Sequence, residues 1–542
     1  MTSRFASDPL ESVLEEFGPS LSGKLVQVLV ERHGLKPEAA RKRISRGGGN
    51  VRRLRGLTFP HRASFYYLEQ QFGSPFYWDS LIRSLLESKS AHGLGLAAIL
   101  ERGGVIPLRH FASASGAPVR QLRHTAPETI VATLIKANLI KELELPGVGT
   151  CLALVQGANY YDGRGEEVSA RLVAESILLE ALKTWIKNLG IGSFDRVALR
   201  DEAEQPKIAS TLWDLTAPSY LGGLLTYGTG EKPKPGFVAC DVLLGGSVSE
   251  QGIRPFIHKC EAIRGLPNVG RCLQIFVANG FTKEAFILAK QKGIVPATVE
   301  NLFGRDVAVG LTQLTNVLKD AATFVRDPIA FNKLFERLKN IEGAATNLRG
   351  ALFEYVAAEL ARTKISSQIE MNRIFKDGPV IKAEVDVVST TPKVSVHFIE
   401  AKGYKPRGTI PDELVKKWLE ERVPWVYREA RKHSDWKSLK IVFEFWTSGI
   451  LSSEAKQMIA EAQQKIRPNK YTVSYLDSEG IRALALETKD AGLIKNLEEH
   501  FLKHPLSEPD VDPTRRDTTR VAIPPTAPEI EADVSDNFEV PF

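Results

Sequence analysis

Val385-Asp386-Val387-Val388 and, beyond a turn at Thr390-Thr391-Pro392, Val394-Ser395-Val396-His397-Phe398-Ile399-Glu400-Ala401-Lys402 decide how this chain is read. Both halves are rich in Val, Ile and Phe and predict two strands around a Pro-bearing turn. Side chains alternate faces along a strand, so Glu400 and Lys402 project the same way, as do Glu384 and Asp386. One hairpin rim is therefore expected to gather carboxylates and an ammonium. Two carboxylates beside a lysine suit a Mg²⁺ ion and the hydrolysis of a phosphodiester.

The order Asp386, hairpin, Glu400-x-Lys402 resembles the PD-(D/E)xK nuclease superfamily of restriction-endonuclease-like fold, and more narrowly its Mrr-type branch. Arg349-Gly350-Ala351-Leu352-Phe353-Glu354-Tyr355 fits the helix that this family places before the hairpin. Ile441-Val442-Phe443-Glu444-Phe445-Trp446-Thr447-Ser448, running into Ser453-Glu454-Ala455, fits the later strand and the helix it opens. The resemblance spans roughly residues 346 to 487. It implies Asp386 and Glu400 as ligands of Mg²⁺ (with Mn²⁺ as a substitute), Lys402 as the group that handles the water, and Glu354 as an assisting catalytic residue. It also implies DNA as substrate and restriction or phage defence as the setting. The same residues leave open a non-catalytic DNA-binding regulator or architectural protein that uses such folds only to grip DNA.

At 542 residues the chain exceeds one core, and three to five domains are expected. Hydrophobic content of 43% and charged content of 25% are those of ordinary globular protein. No apolar run opens the sequence and none approaches a membrane span, so neither a signal peptide nor a spanning helix is expected. Cys151, Cys240, Cys260 and Cys272 form no C-x-x-C pair, which argues against a zinc ribbon or a disulfide framework. Cytosol is the expected compartment.

The net charge of +6 is unevenly spread. From Ala39 to Leu68 there are eight Arg and Lys and no acidic residue. Apolar spacing predicts helices over Leu10–Phe17 and Leu21–Leu29, then a basic helix over Glu38–Arg46, then a hairpin from Val51–Phe59 and Ser64–Leu68. Helix, helix, basic helix, hairpin is the order of a winged helix-turn-helix, spanning residues 1–75. Arg41, Lys42, Arg43 and Arg46 on the helix, with Arg52, Arg53 and Arg55 on the wing, are the candidate contacts to double-stranded DNA. Residues 76–160 read as a second, more apolar module of the same kind, with a helix over Ile106–Ala114 and wing strands over Leu139–Leu145 and Thr150–Val155. His110 and His124 read there as polar surface groups.

Residues 161–305 read as a degenerate copy of the restriction-endonuclease-like domain. Phe276-Val277, Gly280-Phe281-Thr282 and Glu284-Ala285 parallel the segment from Val442 to Ala455, which suggests an internal duplication. Asp241 survives, but the register that replaces Glu-x-Lys offers His258-Lys259-Cys260. His258 and Cys260 supply no anionic oxygen, so this copy is expected to be a scaffold or DNA holder, unless Lys259 or Glu261 serves in another register. Helices over 306–345 form a connector, and 346–500 the nuclease domain, with a basic helix over Pro411–His433 in which Trp418 and Trp425 are interleaved.

From Pro505 the composition turns to Pro, Asp, Glu and Thr, a disordered acidic tail over 505–542. Its end, with Phe538, Pro541 and Phe542, resembles the tip of bacterial single-stranded-DNA-binding protein and implies partners that recognise such tips. A homo-oligomer is compatible with everything above. The fold expected is thus a multidomain chain: α+β winged-helix modules, two α/β restriction-endonuclease-like domains, the first degenerate, and the tail.

Overall fold

The computed structural model describes residues 8–503 except 121–123, 157–163, 203–204, 227–232, 267, 319–325, 339–343, 378–379 and 468. The tail with Phe538, Pro541 and Phe542 lies outside the described residues. The chain is a multidomain α/β protein carrying several small sheets.

The first unit runs α1 (Pro9–Phe17), β1 (Ser20–Leu21), α2 (Ser22–His33), α3 (Pro37–Arg46), β2 (Val51–Arg53) and β3 (Phe65–Leu68). Its sheet has the order β1-β3-β2. Asp8 caps α1, and Pro37 starts α3 where a missing N–H costs nothing. Gly34, left-handed at φ 63°, ends α2. Leu10, Leu14, Leu25, Leu29 and Ile44 form the core against Tyr66 and Leu68.

The second unit runs α4 (Pro75–Ser88), α5 (Ala91–Glu101), β4 (Val105–Pro107), α6 (Leu108–Ala114), α7 (Pro127–Lys136), β5 (Ile140–Leu145) and β6 (Gly149–Leu154). Ile106 lies in a strand and not in the helix expected there. Val105 and Ile106 are both buried, and they pair with β6 in the sheet order β4-β6-β5. His110 is likewise no surface group: it is buried, and its Nε2 lies 3.1 Å from Asp201.

The third unit places α8 (Gly165–Asn188) before β7 (Ala198–Leu199), the two-stranded pair β8 (Lys207–Ile208) and β9 (Thr211–Leu212), then β10 (Leu215–Ser219) and β11 (Gly236–Val248). After α9 (Glu250–Arg264) come β12 (Cys272–Phe281), α10 (Lys283–Gln291) and β13 (Val295–Thr298). The sheet order is β13-β12-β11-β10-β7, with β10 antiparallel to β11 and both β11/β12 and β12/β13 parallel. Here the expected register fails. His258-Lys259-Cys260 stands in helix α9, because Ile253, Phe256, Ile257, Cys260 and Ile263 recur at three- and four-residue spacing and all turn into the core.

Helices α11 (Val299–Phe303), α12 (Arg305–Val317), α13 (Pro328–Leu338) and α14 (Ala344–Lys364) lead to the last sheet. That sheet holds β14 (Ile369–Asp377), β15 (Val380–Thr391), β16 (Ser395–Lys402), β17 (Lys440–Thr447) and β18 (Thr472–Leu476), in that order across it. Strands β15 and β16 are antiparallel, while β16/β17 and β17/β18 are parallel. Between β16 and β17, α15 (Asp412–Lys417) and α16 (Val423–Lys432) are joined through one widened π turn at Trp418–Arg422, where a single helix was expected. Pro424 has no N–H to close an ordinary turn there, which accounts for the widening. Helices α17 (Ser453–Lys465), α18 (Ser478–Thr488) and α19 (Ala491–Asn496), the last running into a π-helical stretch at Leu497–Leu502, complete the described chain.

The two five-stranded sheets share one hydrophobic core. Ile177, Leu178 and Leu182 of α8 cover Cys240, Val242 and Val277, and Leu352, Val356 and Ala357 of α14 cover Val387, Ile399 and Ala401. Leu311 and Leu314 of α12 with Phe331 and Leu334 of α13 belong to the same cluster, so these helices pack in the interior of the protein and are no loose tether.

Candidate active site

Strand register gathers the site. Val387 pairs with Ile399 across β15 and β16, which sets Asp386 opposite Glu400. The Lys402 ammonium lies 3.0 Å from Asp386 Oδ2 and 2.7 Å from Glu400 Oε1, so one cation touches both carboxylates. Asp386 Oδ2 also accepts the Ala401 N–H at 2.7 Å. Asp386 and Glu400 are 7% and 4% exposed, whereas the Lys402 side chain remains 28% open to solvent. The cluster is buried at its base and reachable from its ammonium.

Two further groups close in. Glu354 comes from α14, and Gly403 sets how near that helix stands. A Cβ on Gly403 would fall 2.2 Å from the Arg349 carbonyl oxygen, so only glycine lets the two backbones meet. Burial, with Asp386 next, drives the Glu354 carboxyl well above its ordinary range. Glu384 stands two residues before Asp386 on the same strand face, its carboxyl raised by burial and by Asp386. Asp386 is raised by burial and by Glu400. Arg422, presented by the π turn, forms an ion pair with Glu400. Lys402 is raised above the usual lysine range because its two carboxylates outweigh its burial.

Four carboxyl groups (Glu354, Glu384, Asp386 and Glu400) thus face two cations (Lys402 and Arg422), and the rise of three of them is the mark of their burial and crowding. No three His, Cys, Asp or Glu side chains converge into a metal cage among the described residues. Mg²⁺ does not need such a cage; it binds through one or two carboxylates and keeps several waters. The donors are hard carboxyl oxygens that outnumber the cations beside them, so the residues fit that ion. The second unit closes one side of the site: the turn between β5 and β6 gives the Gly147 N–H to Glu384, while Glu144 lies 3.5 Å from Lys376. Gly147 adopts φ 73°, which glycine tolerates.

The third unit repeats this geometry with other contents. Leu215 pairs with Cys240, which sets Asp214 opposite Asp241, as Asp386 is set opposite Glu400. Asp241 and Glu400 each pair with a phenylalanine of the parallel neighbour, Phe276 and Phe445. Asp214 Oδ2 accepts the Val242 N–H at 3.0 Å, matching the bond from Ala401 to Asp386. The position of Lys402 is taken by Leu243, and the ammonium arrives from helix α9: Lys259 pairs with Asp241 and donates to the Ser113 and Leu212 carbonyls at 3.1 Å. Arg200 spans Glu175 at 2.7 Å and Asp214 at 3.5 Å. Every carboxylate here has a cation of the chain beside it, and the whole cluster is sealed from solvent. Despite burial, Arg200 and Lys259 hold Asp214 below its ordinary range, while burial lifts Asp241 to about 6.

His258 and Cys260 take no part in this cluster. His258 faces His124, with ring centroids 6.0 Å apart, and Cys260 is core. Sequence reasoning missed Asp214, Glu175 and Arg200, although Trp213-Asp214-Leu215 opens a short apolar strand that carried the signal. Of the basic residues of the first unit, Arg43 is tied to Asp8 and Arg52 to Glu69. Arg41, Lys42, Arg46, Arg53 and Arg55 are exposed and have no acidic partner among the described residues.

No family model and no curated protein matches the chain. Among solved structures, restriction endonuclease FokI matches at 11% identity over 86% of this chain and 83% of that one, with a TM-score of 0.18. That likeness is too loose to fix a fold. Among the described residues no helix is long and apolar enough to cross a membrane.

Proposed function

We propose that this chain hydrolyses phosphodiester bonds in duplex DNA with the help of a divalent cation held by Asp386 and Glu400. The convergence of Asp386, Glu400 and Lys402 at one open hairpin rim carries the reading. The excess of carboxylate around it supports a hard divalent ion. Mg²⁺ bound there would polarise the scissile phosphate and lower the pKa of an attacking water. Lys402 orients that water and offsets the charge that grows on the phosphate oxygens. Arg422 positions Glu400, and Glu354 assists from α14.

The strand order and the covering helix support a restriction-endonuclease-like fold for this part of the chain. In the same reading the third unit is a related copy whose ion is replaced by Arg200 and Lys259, leaving a scaffold. The first unit, with three helices followed by a two-stranded wing, docks duplex DNA as a winged helix through Arg41, Lys42, Arg46, Arg53 and Arg55. Restriction or antiviral defence is the setting we attach to that activity.

Duplex DNA incubated with the full chain in Mg²⁺, in Mn²⁺ and in EDTA tests the proposal. Strand breaks in either ion and none in EDTA are expected. Intact DNA in both ions, from a chain that still binds it, leaves the DNA-gripping alternative.

A further inference from the structure

A cavity of 680 Å³ opens where the carboxyl ends of β11 and β12 meet the end of α5 and the flank of α12. Ligand sites of α/β sheets favour this end of the strands. The register of β11 against β12 breaks between Leu243 and Ser247, so Gly245 and Gly246 bow out of the ladder at the cavity wall. Gly245 takes φ 135°, open to glycine and strained for any other residue.

The polar lining is one-sided. Its carboxylates are consumed within the protein: Glu101 accepts from the Ser249 N–H at 2.6 Å and its hydroxyl at 2.7 Å, and Glu167 is paired with Arg164. Its donors are not consumed to the same degree. Arg102 gives one bond to the Ala98 carbonyl and has no acidic partner among the described residues. Arg171 donates to the Arg102 carbonyl at 2.7 Å and lies 4.0 Å from Glu175. Asn279 uses its side-chain oxygen to accept from Gly245, which leaves its amide N–H₂ to donate. Burial, with Arg102 and Arg200 as like charges nearby, holds Arg171 below the usual arginine range, a cost that an anion would relieve. Leu244 and Leu311 give the cavity an apolar wall.

We propose that this cavity binds a phosphorylated small molecule of nucleotide size, with its phosphate on Arg102 and Asn279 and its apolar part against Leu244 and Leu311. A guanidinium fork matches phosphate oxygens, and the charge of Arg171 behind Arg102 adds to the attraction for a group carrying about two negative charges. The volume falls in the range that small organic ligands occupy. This site is separate from the Asp386 cluster, and its occupancy is read by binding alone.

Calorimetry on the full chain in EDTA, with AMP, ATP and GTP and with inorganic phosphate as separate titrants, decides the matter. At least one nucleotide is expected to bind more tightly than about 1 mM, and more tightly than phosphate. Arg102→Gln should weaken that binding about tenfold or more. Thr312→Glu should do the same from an exposed position of α12, where folding is not at stake, by placing a carboxylate on the cavity wall. Overturning results are no nucleotide bound below about 1 mM, phosphate bound as tightly as any nucleotide, or both variants binding like the wild type.

Discussion

Lys259 stands to Asp241 as Lys402 stands to Glu400, although Lys402 belongs to the strand it serves and Lys259 reaches in from helix α9. The two sheets share strand order, pairing sense and the cross-strand position of their acidic pair. They differ in what surrounds that pair. Arg171, Arg200 and Lys259 match the three carboxylates of the first cluster, which is closed, whereas Glu354 and Glu384 leave the second with more carboxyl groups than cations and an opening beside Lys402.

Breaking the closed cluster should cost stability and leave chemistry alone. Lys259→Met leaves Asp241 buried without its cation and is expected to destabilise the third unit by about 3–5 kcal/mol. Adding Asp241→Asn to that variant should recover part of the loss, since the uncompensated charge goes with it. Thermal melts measure both, and DNA cleavage per folded molecule should match the wild type.

The open cluster should respond to metal. Mg²⁺ or Mn²⁺ at about tenfold over its dissociation constant is expected to add about 1.4 kcal/mol of stability. In a melt that is a rise of about 3–6 °C for a domain of this size. Asp386→Asn should abolish the rise while leaving the metal-free melting temperature unchanged or higher, because one of four crowded carboxylates is gone. An equal rise in wild type and variant would place the ion elsewhere.

Among the basic residues of the first unit, function and structure should separate by partner. Arg46→Ala, Arg53→Ala and Arg55→Ala are each expected to weaken DNA binding uniformly across sequences. Each should also lower the slope of log affinity against log salt by about 0.9. Arg43→Ala loses its pair with Asp8 and should show up as lost stability before lost affinity. Titrations at several salt concentrations, read beside melts, distinguish the two outcomes.

His500 gives the last unit a pH dependence. It stacks on Phe335 at 4.4 Å, and burial lowers its pKa from 6.5 to about 4. The unfolded chain therefore takes up its proton first as pH falls. The stability that depends on a neutral ring is complete above pH 6.5 and is lost between 6.5 and about 4. The loss is no more than about 3 kcal/mol, less whatever solvent reaches the ring. His500→Phe should flatten denaturation midpoints over that window.

The hairpin around Thr390 was legible because alternation of Val, Ile and Phe with polar residues has one reading at that length. Asp386, Glu400 and Lys402 could be brought together from it by face counting alone, and Glu384 by the same count. Arg422 could not, for it reaches Glu400 through a π turn that no local pattern announces. In the third unit Asp241 was visible but its partners were not. Arg254-Pro255-Phe256-Ile257 looks like a strand when taken four residues at a time, and its helical spacing emerges only from Ile253 to Ile263. The contact of Gly147 with Glu384 joins residues far apart in the chain, and only the packing of the second unit on the last sheet reveals it.

The measurement that bears most directly on the account is cleavage of duplex DNA in Mg²⁺ by wild type and by Lys402→Ala, with DNA affinity followed on the same samples. Lys402 pairs with two buried carboxylates, so its loss is expected to cost stability, and cleavage is compared per folded molecule with a melt on each sample. Unchanged affinity with cleavage reduced by about a hundredfold or more is the expected result. Equal product from both proteins, or none from either, would contradict a hydrolytic role for the cluster at Asp386, Glu400 and Lys402.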